Sequence, residues 1–550
     1  MASGRSAVAR RRAMSVLGAL TLAAVSFVGG SAPLRTAADD PVDRSGPPYV
    51  LRILASDELT DMEPILRAAA TATGVSIVLT PTSTRDGTSA VASGQAGRHH
   101  DAVWLASNSY LRMTPGALAR TDASNRIMSS PVVLGLRPRV TDRLRWRGAD
   151  VGWAQIADAA GHGGFTFGMA DPEASNTGVS ALVGVATAVA GDGAALDPGG
   201  VRRAEKPLRG LFGAQALKAG SSTALVDAFV HGQDTAGSVD GLVEYESVLL
   251  ALNDSGRLRE PVDVIVPNDG VATADYPLTL LAGASPAAGN AYDRLVAYLR
   301  SVPVQREIML RTKRRPVVVG ALPADAAGRR PFEVPFPNRS DVVADLVSTY
   351  YGRLRRPART VYILDLSGSM RGARLADLRA AITRLATTGP PGSSGAARFQ
   401  EREQATLLPF RGRPDRPATF VLPDSEPAAV LRAIRDYVTT LRAGGETGIY
   451  DALVEAYRIT ERQARTDPSR ITTFVLFTDG ENTTGRDLAA FTAFHRRLAP
   501  AVASVPVFPV LFGDSDVTQM RALAALTGGQ PFDARSAPLD EVFARIRADQ

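Results

Sequence analysis

Along most of the chain, short apolar runs rich in β-branched residues alternate with stretches in which apolar positions recur at helical spacing. Residues 50–54 form such a run, 62–73 keep the helical spacing, Gly74 stops it, and 75–79 are again β-branched. That order predicts strand, helix, strand, the opening of an α/β domain. Strands follow at 102–105, 131–136, 165–169, 242–245 and 262–266, and helices at 177–190, 224–230 and 291–302. A second block repeats the alternation, with strands at 360–364, 473–477 and 505–512 and helices over 375–385, 429–441 and 448–462. It predicts a doubly wound parallel sheet. Within that block, 389–425 is richer in Pro, Gly and Arg, and the apolar pieces 405–410 and 419–422 predict an edge hairpin turning at 411–417.

The start of the chain breaks the pattern. After Arg10-Arg11-Arg12 no charge occurs from Ala13 to Leu34, and Gly30-Ser31-Ala32 offers small residues suited to cleavage after Ala32. A basic region followed by an apolar one predicts export. The uncharged run is also long enough to span a bilayer, and the excess of arginines before it would leave the bulk of the chain outside. Residues 1–34 are therefore expected to be a signal peptide or an N-terminal membrane anchor, and 35–48, rich in Pro, Asp and Gly, a linker.

Composition narrows the chemistry. The 550 residues include no cysteine and five histidines. A disulfide framework, a cysteine nucleophile and thiolate-held zinc are excluded, and the histidines show no ligand spacing, which leaves a hard, oxygen-bound cation as the metal to look for. The formal charge is +6, but Arg5, Arg10, Arg11 and Arg12 account for four of it, so the rest of the chain carries only about +2. That argues against a nucleic-acid partner.

In the first block several strands end in small polar residues: Ser56, Ser107-Asn108, the run from Asp171 to Gly178, and Ser221-Ser222-Thr223. Each alone reads as a helix cap, but their repetition points to a polar crevice outside the strand ends. The segments DAVWLASNS (101–109), DPEASNTGVSALVGV (171–185), GLVEYESVLLALN (241–253) and DGVATADYPLTLL (269–281) resemble the type II periplasmic solute-binding fold, in which two α/β lobes close over a ligand. The resemblance covers 49–322 and implies ligand contacts from Ser56, Ser107, Asn108, Ser175, Thr177, Glu244 and Tyr245. An oxyanion, a sugar and a peptide all remain open as the small polar solute, and an inward, unpaired Glu244 would count against an anion. Lys313-Arg314-Arg315 reads as a solvated charge run or a membrane-facing patch; within the linker or extended segment 323–357, residues 323–338 suit a linker or an extended segment wrapping one lobe, and 339–352 a short helix leading to the second domain.

In the second block the strand at 360–364 runs directly into Asp365-Leu366-Ser367-Gly368-Ser369-Met370. Asp365, Ser367 and Ser369 alternate along a loop at a strand end, and Thr447 and Asp479 occupy comparable loop positions. Two carboxylates and three hydroxyls can hold a small hard cation and leave it electron-poor; magnesium is the natural occupant, with manganese or calcium as substitutes. These residues resemble the metal-ion-dependent adhesion site of the von Willebrand factor A domain: DLSGSM fits DxSxS, Thr447 in GGETGIYDAL fits the threonine position, and Asp479 in FTDGEN fits the second aspartate. The resemblance implies that Ser367, Ser369 and Thr447 bind the metal directly, that Asp365 and Asp479 act through water, and that a partner protein supplies an acidic side chain.

The expected fold is α/β throughout: a two-lobed, periplasmic-binding-protein-like region followed by a doubly wound, Rossmann-like von Willebrand factor A domain over 358–550. No GxSxG elbow and no phosphate-binding GxxxxGK[ST] loop occurs, so the expectation is a non-catalytic, extracytoplasmic binding protein. The alternative is an adhesion or assembly scaffold whose first region no longer binds a solute.

Overall fold

The computed structural model describes residues 48–535 except 192, 234–237, 323–330, 388–397, 425, 480 and 512–515, together with 542 and 546. The expected signal or anchor segment and most of the linker after it lie outside the described residues. Among the described residues no helix is long and apolar enough to cross a membrane.

The described residues form three sheets. The first orders Val75–Thr82, Tyr49–Ser56, Ala102–Trp104, Pro277–Leu281 and Thr121–Arg126. The first three strands are parallel, and Pro277–Leu281 runs antiparallel to both neighbours. The second sheet orders Thr273–Ala274, Met128–Leu136, Gly241–Tyr245, Phe167–Ala170 and Gln215–Ala219, with Arg315–Pro316 and Asp263–Ile265 also paired to Met128–Leu136. The chain passes between these sheets at Ile127 and again at Asp275-Tyr276, so two short crossings join two lobes. Met128–Leu136 is buried at every position, and its stretch 131–136 accordingly carries no polar alternation.

The third sheet orders Ala418–Val421, Gln404–Phe410, Ala358–Asp365, Ile471–Thr478, Val507–Leu511 and Phe532–Asp533. Ala418–Val421 is the one antiparallel strand described in it and makes the expected edge hairpin with Gln404–Phe410. The two-residue period of the central strand sorts its side chains to opposite faces. Tyr362 and Leu364 join a core with the helices Ala373–Leu385 and Ala428–Thr440, while Val361 and Ile363 join another with Ile449–Thr466, Leu488–His495 and Val517–Thr527. The sheet is doubly wound, as the alternating pattern predicts.

Two stretches are packed that could have been free. Where it is described, 323–357 lies against the first domain, as the wrapping-segment reading has it, and is no free linker. Val334 and Val271 exchange backbone hydrogen bonds with the opposing segment (Val334 N–H to Val271 O, 2.9 Å), and the helix Ser340–Thr349 buries Val342, Val343 and Leu346 in the core of the first two sheets. One turn of π-helix, Tyr350–Leu354, continues it, with Tyr350 donating to Gln215 Oε1 at 2.8 Å and Tyr351 to Asp171 Oδ1 at 2.6 Å. Lys313-Arg314-Arg315 is likewise no solvated charge run: Lys313 pairs with Asp254 (2.5 Å), Arg314 with Asp61 (2.6 Å) and Arg315 with both oxygens of Glu246 (2.5 and 2.7 Å). Acids far away in sequence take up all three charges.

Candidate functional site

Asp365 ends a strand buried along its whole length, and Asp479 follows the neighbouring parallel strand, with Leu364 beside Phe477. Parallel pairing brings both carboxylates out at the same edge of the sheet, the crevice side of a doubly wound fold. Asp365 Oδ1 accepts the Ser367 N–H at 2.8 Å, and Oδ2 accepts the Thr478 hydroxyl at 2.8 Å. Burial pushes the Asp365 carboxyl above its ordinary value, and these hydrogen bonds oppose the shift. The Ser367 and Ser369 hydroxyls lie 3.0 Å apart, and Ser369 Oγ donates to Asp479 Oδ1 at 2.9 Å.

The loop before the helix Ile449–Thr466 is tied to both aspartate loops. Gly368 N–H donates to Gly445 O (2.9 Å) and Gly444 N–H to Leu366 O (2.8 Å), while the Thr447 N–H donates to the Thr483 hydroxyl (Oγ1, 2.9 Å) and the Thr483 N–H to Thr447 O (2.8 Å). All five residues expected at the metal therefore sit on three loops hydrogen-bonded to one another. Among the described residues no three His, Cys, Asp or Glu side chains gather as a metal-binding group; the donors that gather here are mainly hydroxyls.

The first two sheets enclose a second site. A cavity of about 470 Å³ is lined by Ser56, Ser175 and Thr177, as expected, and also by Glu58, Ser83 and Arg314 among others. That volume lies within the range of small-molecule sites. The helix Asn176–Ala190 begins at its wall, and Gly178 permits the approach: a Cβ there would stand 2.4 Å from the Ala170 carbonyl oxygen. The Thr177 and Ser222 hydroxyls, at two helix starts, lie 2.9 Å apart. Arg314 stacks over Tyr276 at 4.8 Å, and the Tyr276 hydroxyl donates to Glu58 at 2.7 Å.

Four expected contacts are placed elsewhere than the cavity lining. Ser107 caps its own turn through the Ser109 N–H (3.1 Å), and Asn108 donates to Thr279 Oγ1 (2.9 Å) on the returning strand. Tyr245 is buried and its hydroxyl accepts from Asn176 Nδ2 at 2.8 Å. Glu244 is fully buried; Oε1 accepts the Tyr245 N–H at 2.8 Å, Oε2 has no hydrogen-bond partner, and burial pushes the carboxyl up to about 8. Ser83 and Thr84 carry the same signal as Ser56, a hydroxyl between a strand and a helix, and were legible on that ground. Nothing local marks Arg314, whose place depends on acids about 250 residues earlier.

Residues 51–309 match the family of bacterial extracellular solute-binding proteins, and residues 360–481 match the von Willebrand factor type A domain. The chain joins a solute-binding-protein-like domain to a von Willebrand factor A domain. Both are binding families, which is consistent with a non-enzymatic protein, and the first is a family of extracytoplasmic proteins. A curated relative, inter-alpha-trypsin inhibitor heavy chain H4 of Sus scrofa, is 32% identical over 132 residues, which are 24% of this chain and 13% of that protein. The chain thus spans a small part of that relative's length. Similar solved structures include the periplasmic binding protein AfuA from Actinobacillus pleuropneumoniae, with fructose-6-phosphate bound (13% identity, 56% of this chain, 98% of that chain, TM-score 0.43). A von Willebrand factor type A protein from Catenulispora acidiphila is 19% identical over 35% of this chain and 42% of that chain, with a TM-score of 0.28.

Proposed function

We propose that the von Willebrand factor A domain holds a divalent cation, magnesium by preference, between Asp365, Ser367, Ser369, Thr447 and Asp479, and through it captures an acidic side chain of a partner protein. The observation that carries this reading is the chain of contacts from Asp365 through Ser367 and Ser369 to Asp479. The donor set fits the ion: every donor is oxygen, only two are charged, and hard cations take such ligands. When bound, the ion supplies positive charge that the hydroxyls leave unneutralised, which attracts a carboxylate from outside. The chain's own part is to aim the hydroxyls, a task the Asp365 carboxylate performs by fixing the Ser367 backbone.

We further propose that the first domain, over about 49–322, binds a small polar solute in the 470 Å³ cavity with Ser56, Ser175 and Thr177 among its contacts. Ser107, Asn108, Glu244 and Tyr245 support the walls instead of touching the solute. Isothermal titration of the full chain with magnesium chloride tests the metal site. Binding in the wild type that is lost in Ser367→Ala/Ser369→Ala, with the melting temperature kept, is the expected result; binding that survives the double substitution would move the metal elsewhere, and none in the wild type would leave either a scaffold or a site that is closed in the free chain.

A further inference from the structure

Asp479 is contacted from a second direction. The chain leaves the Gly368–Met370 turn through Gly372, whose φ of +81° lies in the left-handed region, and enters the helix Ala373–Leu385. That bend brings Arg374, the second residue of the helix, back over the loop. Its Nη1 lies 2.5 Å from Asp479 Oδ2 and 3.5 Å from the Ser369 carbonyl oxygen. The Asp479 side chain has no exposed surface, whereas that of Arg374 is 33% exposed. Each carboxylate oxygen of Asp479 thus has a partner: Oδ1 the Ser369 hydroxyl and Oδ2 the guanidinium.

From this geometry we infer that Arg374 is a tethered counter-cation that competes with the divalent ion for Asp479. The inference rests on the proposed metal site. A buried carboxylate without a positive partner is costly, and the guanidinium provides one from within the chain. A divalent cation drawn to the same carboxylate meets a fixed positive charge beside it, so binding requires the guanidinium to turn away from Oδ2. Its partial exposure gives it somewhere to go, toward the rim where an acidic partner arrives. Arg374 therefore weakens metal binding by the free protein, and the partner's carboxylate, by giving the guanidinium another anion, relieves that opposition.

Magnesium titration of the full chain, wild type against Arg374→Gln and Arg374→Lys, tests this. Arg374→Gln is expected to bind magnesium tighter by on the order of tenfold, and Arg374→Lys, which keeps the charge, to stay near the wild type. Equal or weaker binding by Arg374→Gln overturns the inference while leaving the metal site standing. Binding by Arg374→Gln but not by the wild type supports both. No binding by either overturns both. Because loss of the pair can unfold the variant, a second measurement uses the wild type alone: labelling of Arg374 by a dicarbonyl reagent, read by mass spectrometry, is expected to quicken when magnesium is added. Unchanged or slower labelling in a wild type that binds magnesium overturns the competition.

Discussion

Glu244 keeps its proton because burial opposes the charged form: its carboxyl is pushed from an ordinary 4.5 up to about 8. The unfolded chain releases that proton above about 4.5 while the folded chain retains it. This group's stabilising contribution is therefore complete below about 4.5 and is lost as pH rises toward about 8. Glu244→Gln is expected to flatten the fall in stability across that window, by at most about 1.4 kcal/mol per pH unit. Urea unfolding at a series of pH values measures it, and an unchanged slope would mean that the folded protein ionises Glu244. The five residues proposed at the metal were legible at this scale because DLSGSM packs three oxygen-bearing side chains into one loop and the other two flank strand and helix ends. Arg374 was not legible as part of that site, since a basic residue on a helix is ordinarily solvated, and only the turn at Gly372 aims it at Asp479.

Among the elements, the helix Ser340–Thr349 and the π-turn after it are the informative case. Valine and leucine at 342, 343 and 346 have the spacing of a buried helix face, but sequence alone does not name the surface that receives it. The structure seats it on the first domain, where Tyr350 meets the edge of Phe212 at 5.1 Å and Tyr351 reaches the Lys218–Asp171 ion pair. Leu346 is fully buried there, so Leu346→Ala is expected to destabilise the first domain by about 2–5 kcal/mol. All three tryptophans, Trp104, Trp146 and Trp153, lie in that domain, so tryptophan fluorescence during thermal unfolding reads the effect selectively. A free connector would show no shift. The turn is also held from the other domain, through Arg402 Nε donating to Gly352 O and Arg402 Nη2 to Arg355 O.

Across the whole molecule, Arg314 closes the first domain. It precedes a strand of the second sheet, yet pairs with Asp61 and donates to the Glu58 carbonyl oxygen (2.9 Å), both of which follow the first strand of the other sheet. Arg314→Leu is expected to cost about 1–2 kcal/mol, less than a fully buried pair because Asp61 is 42% exposed. It should also raise the radius of gyration in small-angle scattering as the lobes part; an unchanged radius would assign the lobes' contact to their apolar core. By itself the sequence determined the α/β class, the doubly wound second domain and the DLSGSM loop, because strand runs, helical spacing and a short loop motif are local and survive without knowledge of the partner surfaces. The tertiary structure alone decided which acids neutralise Arg314, Arg315 and Arg374, where the helix at 340 docks, and that Ser56, Ser175 and Thr177 share a cavity lining with Arg314. Each of those depends on strand order and chain crossings, which set distances between residues remote in sequence, and no local pattern encodes them.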